Sequence, residues 1–167
     1  TALSWSREGD QIATASRDKT AKVYEANTGK RVSTFSGHSE AVRGIAFHSN
    51  GKEVLSAGDH GHLFVWGSEN GKKIADRAKF DNPVLRFMAG PKGFFATTSG
   101  GVVAQFNAEN QKRLSEFKVV SHTGAEAPTI SSCACWESLL AVGTLDGRVL
   151  IFDTETGQQR TIFVAKP

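Results

Sequence analysis

Four aromatic residues, Tyr24, Trp66, Phe106 and Phe152, recur along this chain at spacings of 42, 40 and 46 residues. Each is followed by a short polar turn: EANTGKR, GSENGKK, NAENQKR and DTETGQQR. Self-similarity at a period in the forties commits a chain to a repeat architecture, in which each unit buries its apolar face only against its neighbours. Within each period the apolar residues alternate two by two and helical periodicity is absent, so the units are built of strands.

The second unit shows the plan most clearly. Val42, Ile45 and Phe47 mark a first strand whose alternation slips at Arg43. HSNGK follows as a turn in which Gly51 supplies a positive φ angle. EVLSAG, HLFVWG and KKIADRAKF then read as three further strands, joined by DHG and SENG. The first unit repeats the order with QIATAS, TAKVYE and KRVSTF, and the fourth with TISSCACW, LLAVGT, RVLIFD and QQRTIF. The third follows it with poorer matches in FFATTS, VVAQFN and KRLSEF. Four short strands per unit predict four small antiparallel sheets, with unit boundaries at about 1–36, 37–80, 81–120 and 121–167.

Composition excludes several classes of function. Hydrophobic residues are 39% of the chain and evenly spread, with no segment apolar enough to span a membrane. No basic-then-apolar leader opens the sequence, but it starts at Thr1 and not at Met, so the compartment stays open, with a slight preference for the cytoplasm. Twenty basic against 17 acidic residues give a net charge of +3. The basic residues form no stripe or cluster, which disfavours a nucleic-acid partner. Cys133 and Cys135 stand two apart, awkward for a disulfide and without nearby ligands for a metal; both are expected to be reduced and buried in the first strand of the fourth unit.

The chain resembles the WD-repeat β-propeller family. Gly37-His38 stands ahead of Trp66 as the family's opening pair does, Phe152-Asp153 and Tyr24-Glu25 are variants of its closing Trp-Asp, and Asp18 and Asp146 precede their aromatics by six residues. The resemblance covers essentially the whole chain. It implies an all-β fold of four propeller blades, part of a seven- or eight-bladed ring or half of a four-plus-four assembly. His38 precedes Trp66 by 28 residues, and that offset from Tyr24 puts the first blade's Gly-His about four residues before Thr1. The chain is therefore expected to be cut from a longer ring, closed by the remaining blades of the same protein or by a second copy.

The resemblance also implies a bracing network in each blade: the opening histidine, a second-strand hydroxyl, the turn Asp and the closing aromatic. The second blade supplies His38, Ser56 and Trp66, but His60 stands at the Asp position with Asp59 one residue away. That leaves its network open there. Thr14, Asp18 and Tyr24 fill the matching positions of the first blade, Asp146 the turn position of the fourth, while the third has Ala96 and Gly100.

Serine, histidine and aspartate in one unit invite a hydrolase reading, but a nucleophile needs a base in reach, an oxyanion hole and a pocket. His60 and His62 lie two apart across a tight turn, with His38 and His48 nearby, yet no Cys or carboxylate completes a tetrahedral metal set. The glycines of TTSGGVV lack the lysine and helix of a phosphate loop. No catalytic residue, metal or cofactor is expected. The family implies a non-catalytic scaffold that docks a protein or peptide partner on loops around the central channel. Arg17, Arg43 and Asp59 are the positions expected on that face, with Ser99 and Leu145 as their less certain counterparts in the third and fourth blades. The alternatives are an enzyme-associated, metal-binding or nucleic-acid-binding propeller, for which converging acidic or histidine side chains, or a steep salt dependence, would speak.

Overall fold

The computed structural model describes residues 2–120 and 127–164, and every regular element in them is a β-strand. The first sheet comprises β1 (Ala2–Trp5), β2 (Gln11–Ala15), β3 (Ala21–Glu25) and β4 (Arg31–Phe35). The second comprises β5 (Val42–Phe47), β6 (Glu53–Gly58), β7 (His62–Gly67) and β8 (Lys73–Lys79). The third holds β9 (Val84–Gly90), β10 (Gly93–Thr98), β11 (Val102–Asn107) and β12 (Arg113–Lys118). The fourth holds β13 (Ile130–Trp136), β14 (Leu139–Thr144), β15 (Arg148–Asp153) and β16 (Gln159–Val164). Each sheet is a meander with its strands hydrogen-bonded in chain order.

The repeated turn has a backbone cause. In all four sheets the register between third and fourth strands slips immediately before the repeated aromatic: at Val23/Tyr24, Val65/Trp66, Gln105/Phe106 and Ile151/Phe152. A slip of this kind bends the strand and ends its pairing. The chain then closes a five-residue turn. The amides of Gly29, Gly71, Gln111 and Gly157 donate to the carbonyls of Glu25, Gly67, Asn107 and Asp153 at 2.9–3.1 Å. Those four amides belong to residues with φ of 69°, 65°, 52° and 74°. Glycine reaches the left-handed region without a Cβ penalty, which explains three of the four copies; Gln111 adopts it as a non-glycine residue.

The chain divides into two compact units, residues 1–89 and 90–167. In the first, Ala13, Val23, Phe35, Val42, Ile45, Phe47, Val54, Phe64 and Trp66 form one buried cluster. Phe35 stacks on Trp66 with centroids 5.4 Å apart and planes 6° apart, and meets Phe64 edge-on at 5.6 Å. Strands β5, β6 and β7 are buried on both faces along almost their whole length. On the other face Gly44 lies so close to Phe87 that a Cβ would not fit.

In the second unit Phe94, Phe95, Val103, Phe106, Phe117, Leu140, Val142, Leu150 and Phe152 are buried, with Phe117 and Phe152 rings 5.4 Å apart. The fourth sheet buries one face only. Its other face carries Trp136 at 69% exposure together with Val149 and Phe163, and β16 is exposed throughout.

Cys133 and Cys135 require a correction. They lie on β13 and are free thiols, but they are half-buried and not core residues. Cys133 pairs with Val142 and Cys135 with Leu140, the register at which Ile45 and Phe47 sit in the second sheet. Both β5 and β13 are edge strands, but β5 packs against β1 and β2 of the first sheet, whereas the main strand contact of β13 is its own sheet partner β14. Burial still pushes the Cys135 thiol up to about 12, which keeps it a thiol and not a nucleophilic thiolate.

Candidate docking face

Arg43 sits where the pairing of β5 with β6 slips, between Val42 and Gly44. A bulge re-aims a side chain out of the sheet's alternation, and here it gives Arg43 to the loop that follows β6. Arg43 Nε donates to Asp59 Oδ1 and Nη2 to Asp59 Oδ2, each at 2.8 Å. Asp59 is held from behind, its amide donating to the Ala41 carbonyl at 3.0 Å. Gly58, just before it, approaches Ala41 too closely to carry a side chain. The hydrogen bond to Asp59 raises the Arg43 pKa, followed by that carboxylate's charge. The side chains remain 35% and 23% exposed, so the pair is a rigid surface feature.

Arg17 lies in the exposed turn between β2 and β3. The Val42 amide donates to the Ser16 carbonyl at 3.0 Å, which sets this turn against the start of β5, beside Arg43. Among the described residues Arg17 forms no ion pair, whereas the neighbouring Asp18 is fully engaged. Its carboxylate accepts from the Thr20 hydroxyl at 2.6 Å, the Thr20 amide at 2.9 Å and Lys22 Nζ at 3.0 Å. These bonds, the Thr20 hydroxyl foremost, hold its pKa far below the usual carboxylate range. Ser99 and Leu145 occupy the corresponding turns after β10 and β14, with Leu145 largely exposed. Lys30 and Lys72 follow β3 and β7, in the turns at the opposite strand ends.

Behind this face the second sheet contains a continuous hydrogen-bonded chain. Trp66 Nε1 donates to Ser56 Oγ at 3.0 Å, Ser56 Oγ meets His38 Nε2 at 2.7 Å, and His38 Nδ1 meets His60 Nε2 at 2.6 Å. His60 Nδ1 in turn accepts the His62 amide at 2.8 Å, and His62 Nδ1 reaches Asp76 Oδ2 at 2.8 Å. The network is therefore closed without a carboxylate at position 60. Burial, then the neighbouring His60 and His62, push the His38 pKa down to about 3. Burial also lowers that of His60.

Thr14, Asp18 and Tyr24 are not joined in this way. Thr14 Oγ1 lies 3.5 Å from the Lys22 carbonyl, and Thr14, Lys22 and Tyr24 line an open groove of about 440 Å³ on the first sheet. In the fourth sheet Asp146 accepts from the Thr144 hydroxyl and from Arg148, whose Nε and Nη2 lie 2.9 and 2.6 Å from Oδ2. Arg148 also donates to the Val120 carbonyl at 3.2 Å. The hydrogen bond from Arg148 is the leading cause that brings the Asp146 pKa down to about 2. The role of Arg148 was not read from the sequence. A signal existed: Thr20, His62 and Arg148 all stand four residues before their aromatic, and each bonds the turn residue two before it.

His38, His60 and His62 are brought together, while His48 lies apart in the turn after β5. Among the described residues no three His, Cys, Asp or Glu side chains are placed to hold a metal ion. Among them, too, no helix is long and apolar enough to cross a membrane.

The β-propeller domain of Cps50 (Swd1) from Myceliophteria thermophila superposes with a TM-score of 0.83 at 20% identity, over 99% of this chain and 55% of that one. Residues 1–25 and 29–67 match the model of the WD domain, G-beta repeat. The first two sheets thus match that repeat, and the whole chain has the fold of β-propeller blades. It is 29% identical over 143 residues to nuclear distribution protein PAC1-2 of Uncinocarpus reesii, covering 84% of this chain and 29% of that protein. It is 24% identical over 170 residues to eukaryotic translation initiation factor 3 subunit I of Meyerozyma guilliermondii, covering 95% and 49%. The chain thus spans about half or less of the curated relatives it matches.

Proposed function

We propose that this chain is part of a non-catalytic WD-repeat scaffold whose Arg17–Arg43–Asp59 face docks a polar peptide segment of a protein partner. The observation that carries the reading is the fork-to-fork Arg43–Asp59 pair, fixed by the bulge on one side and by Ala41 on the other, next to an unpaired Arg17. A pair held this way loses little side-chain entropy on binding, and arginine combines planar hydrogen bonding with stacking. Arg43 Nη1 is left over from the contact with Asp59 and can meet a partner's carbonyl, while Arg17 can meet a carboxylate. Asp18 and Asp59 on the same face would repel phosphates, which favours a peptide over a nucleic acid. The uncovered face of the fourth sheet, with Trp136, Val149 and Phe163, would be closed by further blades of the same protein or by a second copy.

The test compares Arg17→Ala and Arg43→Ala with Lys30→Ala and Lys72→Ala, measuring affinity for the partner captured by the full-length protein. Each arginine change is expected to weaken binding by about tenfold, the scale of an interface anchor. Loss on the lysine changes with none on the arginines would place the partner at the other strand ends.

A further inference from the structure

We propose that the His38–His60–His62 chain is a proton-operated latch on the loop 58–62, so that uptake of a single proton breaks a hydrogen bond that fixes this loop. The case rests on counting donors. The His62 amide can only donate, and it points at His60 Nδ1 at 2.8 Å, so that nitrogen carries no proton. Neutral His60 therefore has its hydrogen on Nε2, directed at His38 Nδ1 at 2.6 Å, which must accept. His38 then has its hydrogen on Nε2 and donates to Ser56 Oγ at 2.7 Å. With a carboxylate at position 60 the middle bond would run the other way, from His38 to the turn, and a doubly protonated His38 would fit. With histidine there is no place for an added proton. On His60 it would sit at Nδ1 against the His62 amide; on His38 it would sit at Nδ1 against the His60 donor. Two donors cannot share one hydrogen bond.

The groups around the chain set where the proton enters. Glu40 and the Asp76 carboxylate of β8 favour a positive His60, while burial and His62 oppose it. The rings of Phe64 and His38 flank His60 at 5.5 and 4.7 Å, and Phe35 packs on the His38 side. Lys73 lies over the Phe64 ring, 5.2 Å from its centroid, and Asp59 is committed to Arg43. His38 is the more deeply buried of the pair, so His60 takes the proton and the bond to the His62 amide is the one broken. That bond spans Gly61, whose amide donates to Gly58 and whose carbonyl accepts from Phe80. Asp59 lies within the same turn. Both imidazoles are neutral in the closed arrangement, so an open arrangement with free imidazoles binds protons first. The closed form is depleted by up to about tenfold per pH unit and per histidine as the pH falls below about 6.5.

That the loop is a docking element rests on the proposed function; the latch itself is measured with no partner present. Hydrogen exchange of the His62 amide in the intact protein, corrected for its intrinsic rate, is compared between about pH 7.5 and about pH 5. Its protection should drop at least tenfold, with the Trp66 indole N–H resonance shifting in parallel. His60→Asp should abolish the drop, because a carboxylate accepts both from the His62 amide and from a protonated His38. If that variant does not fold, His60→Asn supplies the same acceptor and donor without titrating and should also reduce the drop. Equal protection at the two pH values, or the same loss in wild type and variant, would overturn the proposal.

Discussion

The second and fourth sheets follow one four-strand plan and fix their polar turn by opposite means. In the second, a neutral relay runs from Trp66 through Ser56 and His38 to His60 inside a sheet covered on both faces. In the fourth, Val142 stands at the register of Ser56, and the turn is held at Asp146, which accepts from the Thr144 hydroxyl and pairs with Arg148. What the two share is a side chain at the turn that grips the residue two positions on. The two also differ in how their carboxylate or ring meets water. Charges buried deeply lose much hydration, whereas neutral hydrogen-bonded rings do not, and Asp146 is 43% exposed beside an Arg148 that is 7% exposed. One backbone requirement is thus met by an ion pair with a solvated carboxylate in the fourth sheet and by neutral rings in the second.

The largest expected contrast is between two tryptophans. Trp66 is fully buried, and Trp66→Ala should cost about 3–5 kcal/mol in urea unfolding. Trp136 is mostly exposed, and Trp136→Ala should stay within about 0.5 kcal/mol. Similar losses at both sites would mean that the fourth sheet is covered as well as the second. Next in size is His38→Ala, which orphans Ser56 and His60 and should cost about 1–3 kcal/mol. A variant that kept its stability while losing an activity would bring back the hydrolase reading.

The pH dependence should separate the two regions more finely. Histidines whose folded pKa is lowered make the folded state the poorer proton binder. Stability contributed by the second sheet is therefore complete above about pH 6.5 and falls below it. For His38 the slope approaches about 1.4 kcal/mol per pH unit. Asp146, also depressed, contributes stability above the free carboxylate value of 3.8 that is lost as pH falls toward about 2. Local unfolding followed by hydrogen exchange should show β5–β7 loosening several pH units before β14–β15. The reverse order would break the comparison.

The fold was legible because its strongest signals are local. An aromatic follows each slip, at Tyr24, Trp66, Phe106 and Phe152, and the turn after it holds a residue at positive φ, so both recur in the sequence. Arg43 at the bulge was visible as broken alternation for the same reason. The partners of side chains were less legible. Asp59 was placed on the same face as Arg43, but that the two are bound to each other depends on three-dimensional approach. His60 looked like a gap because the pattern was read as needing a carboxylate, whereas the geometry needs only an acceptor for the His62 amide. The half-exposure of Cys133 and Cys135 depends on what covers an edge strand, which no periodicity encodes.

The central claim, that a partner docks on the Arg17–Arg43–Asp59 face, is tested most directly by the footprint of a bound partner. Amide hydrogen exchange of the full-length protein should be compared with and without the partner that it captures. The account predicts new protection in the turns around Arg17 and Asp59 and none in the turns around Lys30 and Lys72. Protection confined to the Lys30 and Lys72 turns would contradict it.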